Sequence, residues 1–285
     1  MASTTTTLDD LLPLIRQEAL FVASERSIMR GLVKNYTLAP GQGKQVSVPI
    51  YPIQTAAAIT EGNEVADTAV STTAANLNVA PVAIRTLLTD LARTASASNV
   101  VADLGKLFGE AIARKMDIDL TTLFGSLSAG FGDGTGTITA ADIFKAVAKL
   151  KAAAVPTEGM VCVLHPEIAY DLKAALTTAG NTPFTSGAYS EVSNEAMRMG
   201  FVGMLAGIPV YETSNIPALA NPGDFNGAVF HRDAFGLGMI GDISIETQRR
   251  AAFLGDDIVC SAYYGTGILL NNYGRYLQFD SSINP

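Results

Sequence analysis

The side chains able to serve as ligand, acid, base or nucleophile are few and scattered. The chain has two histidines, His165 and His231, and each ends an apolar run. His165 precedes Pro166 at a strand-to-helix junction, where an imidazole more often satisfies local backbone groups than acts on a substrate. Cys162 and Cys260 stand alone in apolar, strand-like runs, the usual setting of buried, reduced thiols. Neither belongs to a Cys-x-x-Cys pair that would hold zinc or cycle between redox states. Asp117 and Asp119 lie two apart in a helical pattern and face different ways, a poor arrangement for sharing a metal ion. Asp256 and Asp257 read as turn residues held by local hydrogen bonds. Tyr263 and Tyr264 are neighbours in a strand and point to opposite faces.

Gly130, Gly132, Gly134 and Gly136 surround Asp133 in the stretch GFGDGTG, which comes nearest to a phosphate cradle. No Lys follows it, and Ile138 and Thr139 separate it from the next helical pattern, so it reads as a hinge between two domains. The chain contains no Gly-x-x-x-x-Gly-Lys-Ser/Thr loop, no Gly-x-Ser-x-Gly elbow and no His-Glu-x-x-His pair. These readings predict no catalytic residue, no cofactor and no metal. An α/β enzyme working from the region around Asp133 stands as the remote alternative.

Composition points to association. Charged residues make up 16% of the 285 residues, against roughly 25% in an average soluble domain, and the mean hydropathy is +0.26. Large subunit contacts, depleted in charge at their centres, explain such a surface better than an isolated monomer does. The formal net charge is −8. Phosphate neutralisation needs clustered Lys or Arg, and here no cluster exceeds Arg249-Arg250. Tight DNA binding is therefore not expected. MASTTTTLDD carries acids where a secretory signal would carry bases. No run of 18 apolar residues occurs, which excludes a membrane-spanning helix.

The patterning predicts an amphipathic helix over 8–34, with Leu11, Ile15, Val22, Met29 and Val33 on its apolar face and a need for a partner. A strand over 45–52 follows. Residues 54–80 are rich in Ala, Thr, Asn and acid and lack the large apolar residues of a core. They read as a loop or two-stranded extension that gains order on another subunit. Alternation returns at 82–88. Residues 98–124 make the strongest helical pattern, from Ser98 through Leu104, Phe108, Ile112, Met116 and Leu120. Helices over 140–153, 166–177 and 190–198 then alternate with strands over 160–165 and 208–212, as in a compact α/β unit. From Asp242 the chain reads as strand: ISIETQR, a turn near 254–257, and one long return run to about 279.

Three stretches carry a family resemblance: ITEGNEVADT (59–68), LHPEIAYDL (164–172) and GFVGMLAGIPVYETSNIP (200–217), the last followed by AVFHRDAFGLGMIGDISIETQRR. Together with the order of elements they resemble a tailed-phage major capsid protein of the Hong Kong 97 type. The resemblance implies an α+β fold with an N-terminal arm (1–43) and an E-loop (about 53–80) within a peripheral region (44–138). That region carries a spine helix (98–124) and is followed by an α/β axial domain (139–235) and returning peripheral strands (236–285). It implies self-assembly through hexamers and pentamers into an icosahedral virion shell, formed in the host cytoplasm around packaged DNA that is not specifically bound. It also implies a portal protein as a partner and leaves open whether decoration proteins bind. With the arm starting within ten residues of Met1, a separate scaffolding protein is expected. Encapsulin compartments share the fold and are the nearer alternative.

Members of the family that weld their shells join an E-loop Lys to an Asn of a neighbour, assisted by a Glu. This chain has no Lys between Lys44 and Lys106, and it offers Asp257 and Tyr264 roughly where the Asn and Glu would be. The resemblance therefore implies non-covalent contacts. The expected pairing sets Glu61, Glu64 and Asp67 of one subunit against Arg249 or Arg250 of the next. The spine helix is expected to bury Leu104, Phe108 and Ile112 against strands containing Ile245 and Val259.

Overall fold

The computed structural model describes residues 27–39, 41, 43–51, 56, 58, 64, 70–95, 100–178 and 201–283. The expected helix over 190–198, the arm before Ser27, and Glu61 and Asp67 lie outside them. A long helix, α3 (Val100–Thr122), forms where the apolar period is cleanest and no proline interrupts it. At ~1.5 Å per residue its 23 residues span about 35 Å. Leu104, Phe108, Ile112, Met116 and Leu120, at four-residue steps, are all buried. Each contributes about 1.5–3 kcal/mol by leaving water. The helix ends in a 3-10 turn, Leu123–Ser126, that carries Phe124 into the core.

Two sheets share that core. The first joins β1 (Lys34–Leu38), β10 (Phe235–Ile240), β12 (Gly255–Ile268) and β11 (Ser244–Arg250) in that order, with β4 (Ala80–Thr89) on the other flank of β12. The stripe of α3 packs on β4 and β12. The strand face that meets it carries Ile258, Cys260, Ala262 and Tyr264. Val259, on the same strand, points the other way, because neighbours on a strand alternate. Ile245, opposite Cys260, does pack against the core.

The second sheet runs β5 (Gly130–Phe131), β13 (Gly274–Asp280), β9 (Asp224–His231), β6 (Met160–Leu164), β8 (Ile208–Glu212) and β7 (Phe201–Leu205). Central β6 is buried at every position. This explains its unbroken apolar run, since a strand covered on both faces has no solvent side to mark with polar residues. Helices α4 (Ala140–Ala152) and α5 (Pro166–Thr178) accompany this sheet. The Asp142 carboxylate accepts from the Thr139 amide (3.1 Å) and hydroxyl (2.6 Å) to start α4. Where β9 leads into β10, Phe124, Phe230 and Phe235 form a triad with ring centroids 5.0–5.6 Å apart, so one continuous core spans both sheets.

A ribbon of β2 (Gln45–Ile50) and β3 (Thr73–Asn78) stands off the first sheet. Its root rests where Gly236 pairs with Gly267 and Gly238 with Gly265. A side chain at 267 would press on Leu77, and one at 265 on the Asn78 carbonyl. The facing Gly-x-Gly segments of β10 and β12 thus form a bare seat for the ribbon.

Several expectations are corrected. The helix over 8–34 is not continuous through Ser27, which is extended and caps a separate short helix, α1 (Ile28–Leu32), followed directly by β1. Met29 and Val33 are fully buried in the subunit's own core and need no neighbour. The return run breaks after Ile268. A 3-10 turn (Asn271–Tyr273) intervenes, and β13 then joins the second sheet rather than the first. The GFGDGTG stretch is packed and does not act as a loose hinge. Gly134 donates to Gln278 (3.3 Å), and Asp280 donates to Gly136 (3.1 Å). A Cβ on Gly132 would lie inside the van der Waals shell of the Gln278 carbonyl.

Phe108→Ala is expected to cost about 3–5 kcal/mol in denaturant unfolding, whereas Leu107→Ala, 57% exposed beside the buried stripe, should cost clearly less. Gly132→Ala, at φ +84° against a carbonyl, should lose more than about 1 kcal/mol. Gly136→Ala, with open space around its Cβ position, should be near neutral. Equal tolerance at the two glycines would restore the hinge reading.

Candidate assembly surface

The hairpin of β11 and β12 carries Arg249-Arg250 before its turn and Asp256-Asp257 after it. The two acids lie in β12, buried, rather than at the turn where sequence placed them. Antiparallel register sets Arg249 directly opposite Asp256. The two arginines, like the two acids, then point to opposite faces. On one face Arg249 grips both carboxylate oxygens of Asp90 (2.7 and 2.6 Å) and reaches Asp256 at 3.3 Å. Asp90 opens α2 (Asp90–Ala95), the short helix after β4. Hydrogen bonding to Asp90, then to Asp256, raises the Arg249 pKa further, so it stays protonated.

On the other face Asp257 accepts two bonds from Arg85 of β4, at 3.2 Å from Nε and 2.8 Å from Nη2. It also forms an ion pair with Arg250, whose Nε lies 2.7 Å from Oδ2. Its side chain is 5% exposed beneath two half-exposed arginines. An ion buried this far depends on its partners, and stripping both would leave an uncompensated carboxylate. Arg250 also lies over the Phe253 ring, 5.5 Å from its centroid. Three arginines thus meet three aspartates, and the end of the sheet is stiff and electrically neutral.

Beyond this cluster the Asp90 amide donates to the Leu254 carbonyl (2.8 Å). Around that bond Leu91, Phe253 and Leu254 stand 78%, 56% and 69% exposed. Apolar side chains grouped on a neutral, rigid tip are the feature expected of a contact surface.

Of the residues expected to meet between subunits, Arg249 and Arg250 sit together in this cluster. Glu64 is exposed. Among the described residues the acids bonded to the two arginines are the subunit's own Asp90, Asp256 and Asp257. Sequence reading missed Arg85 and Asp90 and misplaced the acid pair. The signal was present in RRAAFLGDD, where opposite charges flank a turn symmetrically and so face each other across a hairpin.

The other candidate groups are absorbed by structure. His165 stacks on Phe225 with centroids 3.6 Å apart, and its Nδ1 accepts from the Glu167 amide; burial lowers its pKa. His231 Nδ1 accepts from the Asp233 amide (3.2 Å), so Nε2 carries the proton donated to the Glu158 carbonyl (2.9 Å). Burial pushes the Cys162 thiol far up and the Cys260 thiol up to about 11. Asp133 accepts from the Thr135 amide and hydroxyl in a local turn. Tyr264 donates to Asp119 (2.8 Å), while Tyr263 is exposed. Among the described residues no cluster of His, Cys, Asp or Glu is arranged to hold a metal ion. None of their helices is long and apolar enough to cross a membrane.

Comparison with known proteins agrees with this geometry. No curated protein matches the chain. Solved structures do match in fold. A capsid protein of cyanophage P-SCSP1u superposes with a TM-score of 0.68 at 19% identity, over 90% of this chain and 89% of that one. A chain of Mycobacterium phage Che8 gives 0.63 at 21% identity, over 84% and 85%. A virus-like particle from Pyrococcus furiosus gives 0.58 at 11% identity, over 93% and 98%. The sequence model of the phage capsid protein family matches residues 78–276, a span that takes in the long helix, most of both sheets and the arginine-aspartate cluster. The chain therefore belongs to the phage capsid protein family, has the Hong Kong 97-type fold, and is a subunit of a capsid shell.

Proposed function

We propose that copies of this chain associate as hexamers and pentamers into the icosahedral shell of a tailed DNA phage, without catalysing a reaction. The observation that carries this reading is the pairing of two outward features with one rigid body. The β2–β3 ribbon has almost no core of its own, and the apolar tip at Leu91, Phe253 and Leu254 is largely exposed. The family match favours a phage capsid over an encapsulin compartment. Assembly takes place in the host cytoplasm, and the net charge of −8 suits a wall that encloses DNA without holding it. A portal protein and a separate scaffolding protein are the partners that the family resemblance supports.

Contacts between subunits are non-covalent in this reading. Asp257 is locked under two arginines, and Tyr264 is committed to Asp119. Arg249 and Arg250 keep 48% and 40% of their side chains exposed, so each still offers donors to Glu61, Glu64 or Asp67 of a neighbour. One exposed pair is worth only ~0–1 kcal/mol, and repetition around the shell multiplies it.

Electron microscopy of the purified protein should show uniform closed shells; discrete small oligomers would refute the reading. Leu91→Asp combined with Phe253→Asp should leave the subunit folded, with a stability change of about 1 kcal/mol or less, yet prevent shell formation. Shells of normal size from that variant would remove the tip from the interface. Boiled shells should run as a single band near 29.8 kDa, and a ladder of covalent oligomers would contradict the non-covalent reading. Arg249→Ala with Arg250→Ala should lower the melting point of shells more than that of unassembled subunits, and most at low salt, where screening is weakest.

A further inference from the structure

Asp117, in the last third of α3, is fully buried, and among the described residues its four bonded partners are uncharged donors. Oδ1 accepts from the Ser27 hydroxyl (2.7 Å) and the Met29 amide (3.3 Å). Oδ2 accepts from the Ile28 amide (3.2 Å) and the Asn215 side-chain amide (3.3 Å). The first three donors belong to the start of α1. From there buried Met29 and Val33 lead into β1 and the first sheet. The fourth belongs to the loop after β8, in the second sheet. That loop is fixed by Thr213 donating to the Leu164 carbonyl (3.0 Å) and by Thr121, one turn further along α3, donating to the Asn215 carbonyl (3.0 Å).

We propose that Asp117 is a latch coupling the seat of the chain at Ser27 to the position of the second sheet. A buried anion with no cation bonded to it among the described residues depends on its donors, and losing one leaves charge that only water can satisfy. If the loop at Asn215 shifts, water must enter beside Oδ2, which also holds the Ile28 amide. Release therefore passes from the loop to α1, and by thermodynamic reciprocity from α1 to the loop. Burial pushes the Asp117 carboxyl above its usual range even against four donors, as expected of a site where the charge is only just compensated. Asp119, two residues on, bonds Lys115 and Tyr264 instead and takes no part.

The test is hydrogen exchange on the full-length protein, read separately over residues 28–38 and 213–217. Asn215→Ala should speed exchange over 28–38 by about tenfold, the scale of one lost hydrogen bond to a charged group. Ser27→Ala should do the same over 213–217. In the Asp117→Asn background, which removes the shared charge, each second substitution should act only on its own segment. If Asn215→Ala leaves 28–38 unchanged, or Ser27→Ala leaves 213–217 unchanged, the two bonds are independent and the latch is refuted. The two single variants suffice if Asp117→Asn does not fold. The outcome does not depend on shell formation, so it stands or falls separately from the assembly reading.

Discussion

The subunit is organised around the burial of one helix face against two sheets at once. Leu104, Phe108, Ile112 and Met116 cover the first sheet, and Phe124, at the end of the same helix, meets Phe230 of the second sheet and Phe235 of the first. The short connection from β9 to β10 could not hold two sheets at a fixed angle unaided. The phenylalanine triad does so because close-packed rings resist sliding without opening voids. The ribbon seat at Gly236 and Gly267, the charged tip and the Asp117 junction are all placed relative to that core.

Against this apolar frame the buried charges divide into two kinds. Asp257 lies at the sheet surface between two arginines, a geometry that fixes strand positions more than it adds stability. Asp117 lies deep, and the donors that hold it among the described residues are neutral. The first kind stiffens the tip, so that a contact made there is not weakened by ordering loose side chains. The second sits where three segments meet, and its small margin of compensation makes it responsive. Rigidity at the surface and a poised joint inside suit a subunit that must hold a neighbour while its own parts adjust.

Much of this was legible in the residues. The period of α3, the fully buried β6, the helices beginning near Ala140 and Pro166, and the strand alternation of β2, β4 and β11 all follow from local patterning, because a repeating stripe reports directly on which side is dry. The failures share a cause. The sheet chosen by β13, the packing of the GFGDGTG glycines and the partners of Asp256 and Asp257 depend on which strand lies beside which, and no local pattern states that. Ser27 shows the same limit: a polar residue in an amphipathic run reads as an exposed helix position until the carboxylate of Asp117 is found above it. The candidate site was half visible. Arg249 and Arg250 were noticed as a pair, but the acids beside them come from their own hairpin and from Asp90.

The low charge content follows from how the residues are deployed. Arg85, Arg249, Arg250, Asp90, Asp256 and Asp257 neutralise one another at one end of the sheet. Lys34 pairs with Asp233, Lys115 with Asp119, and Lys173 with Glu212. Charges spent within the subunit leave the remaining surface to small, neutral and apolar side chains such as Tyr51, Val70, Phe144 and Tyr170. On a lone protein that surface would invite indiscriminate sticking. On a subunit whose every copy presents the same faces in the same geometry, it lets neighbours pack closely without burying unpaired charge.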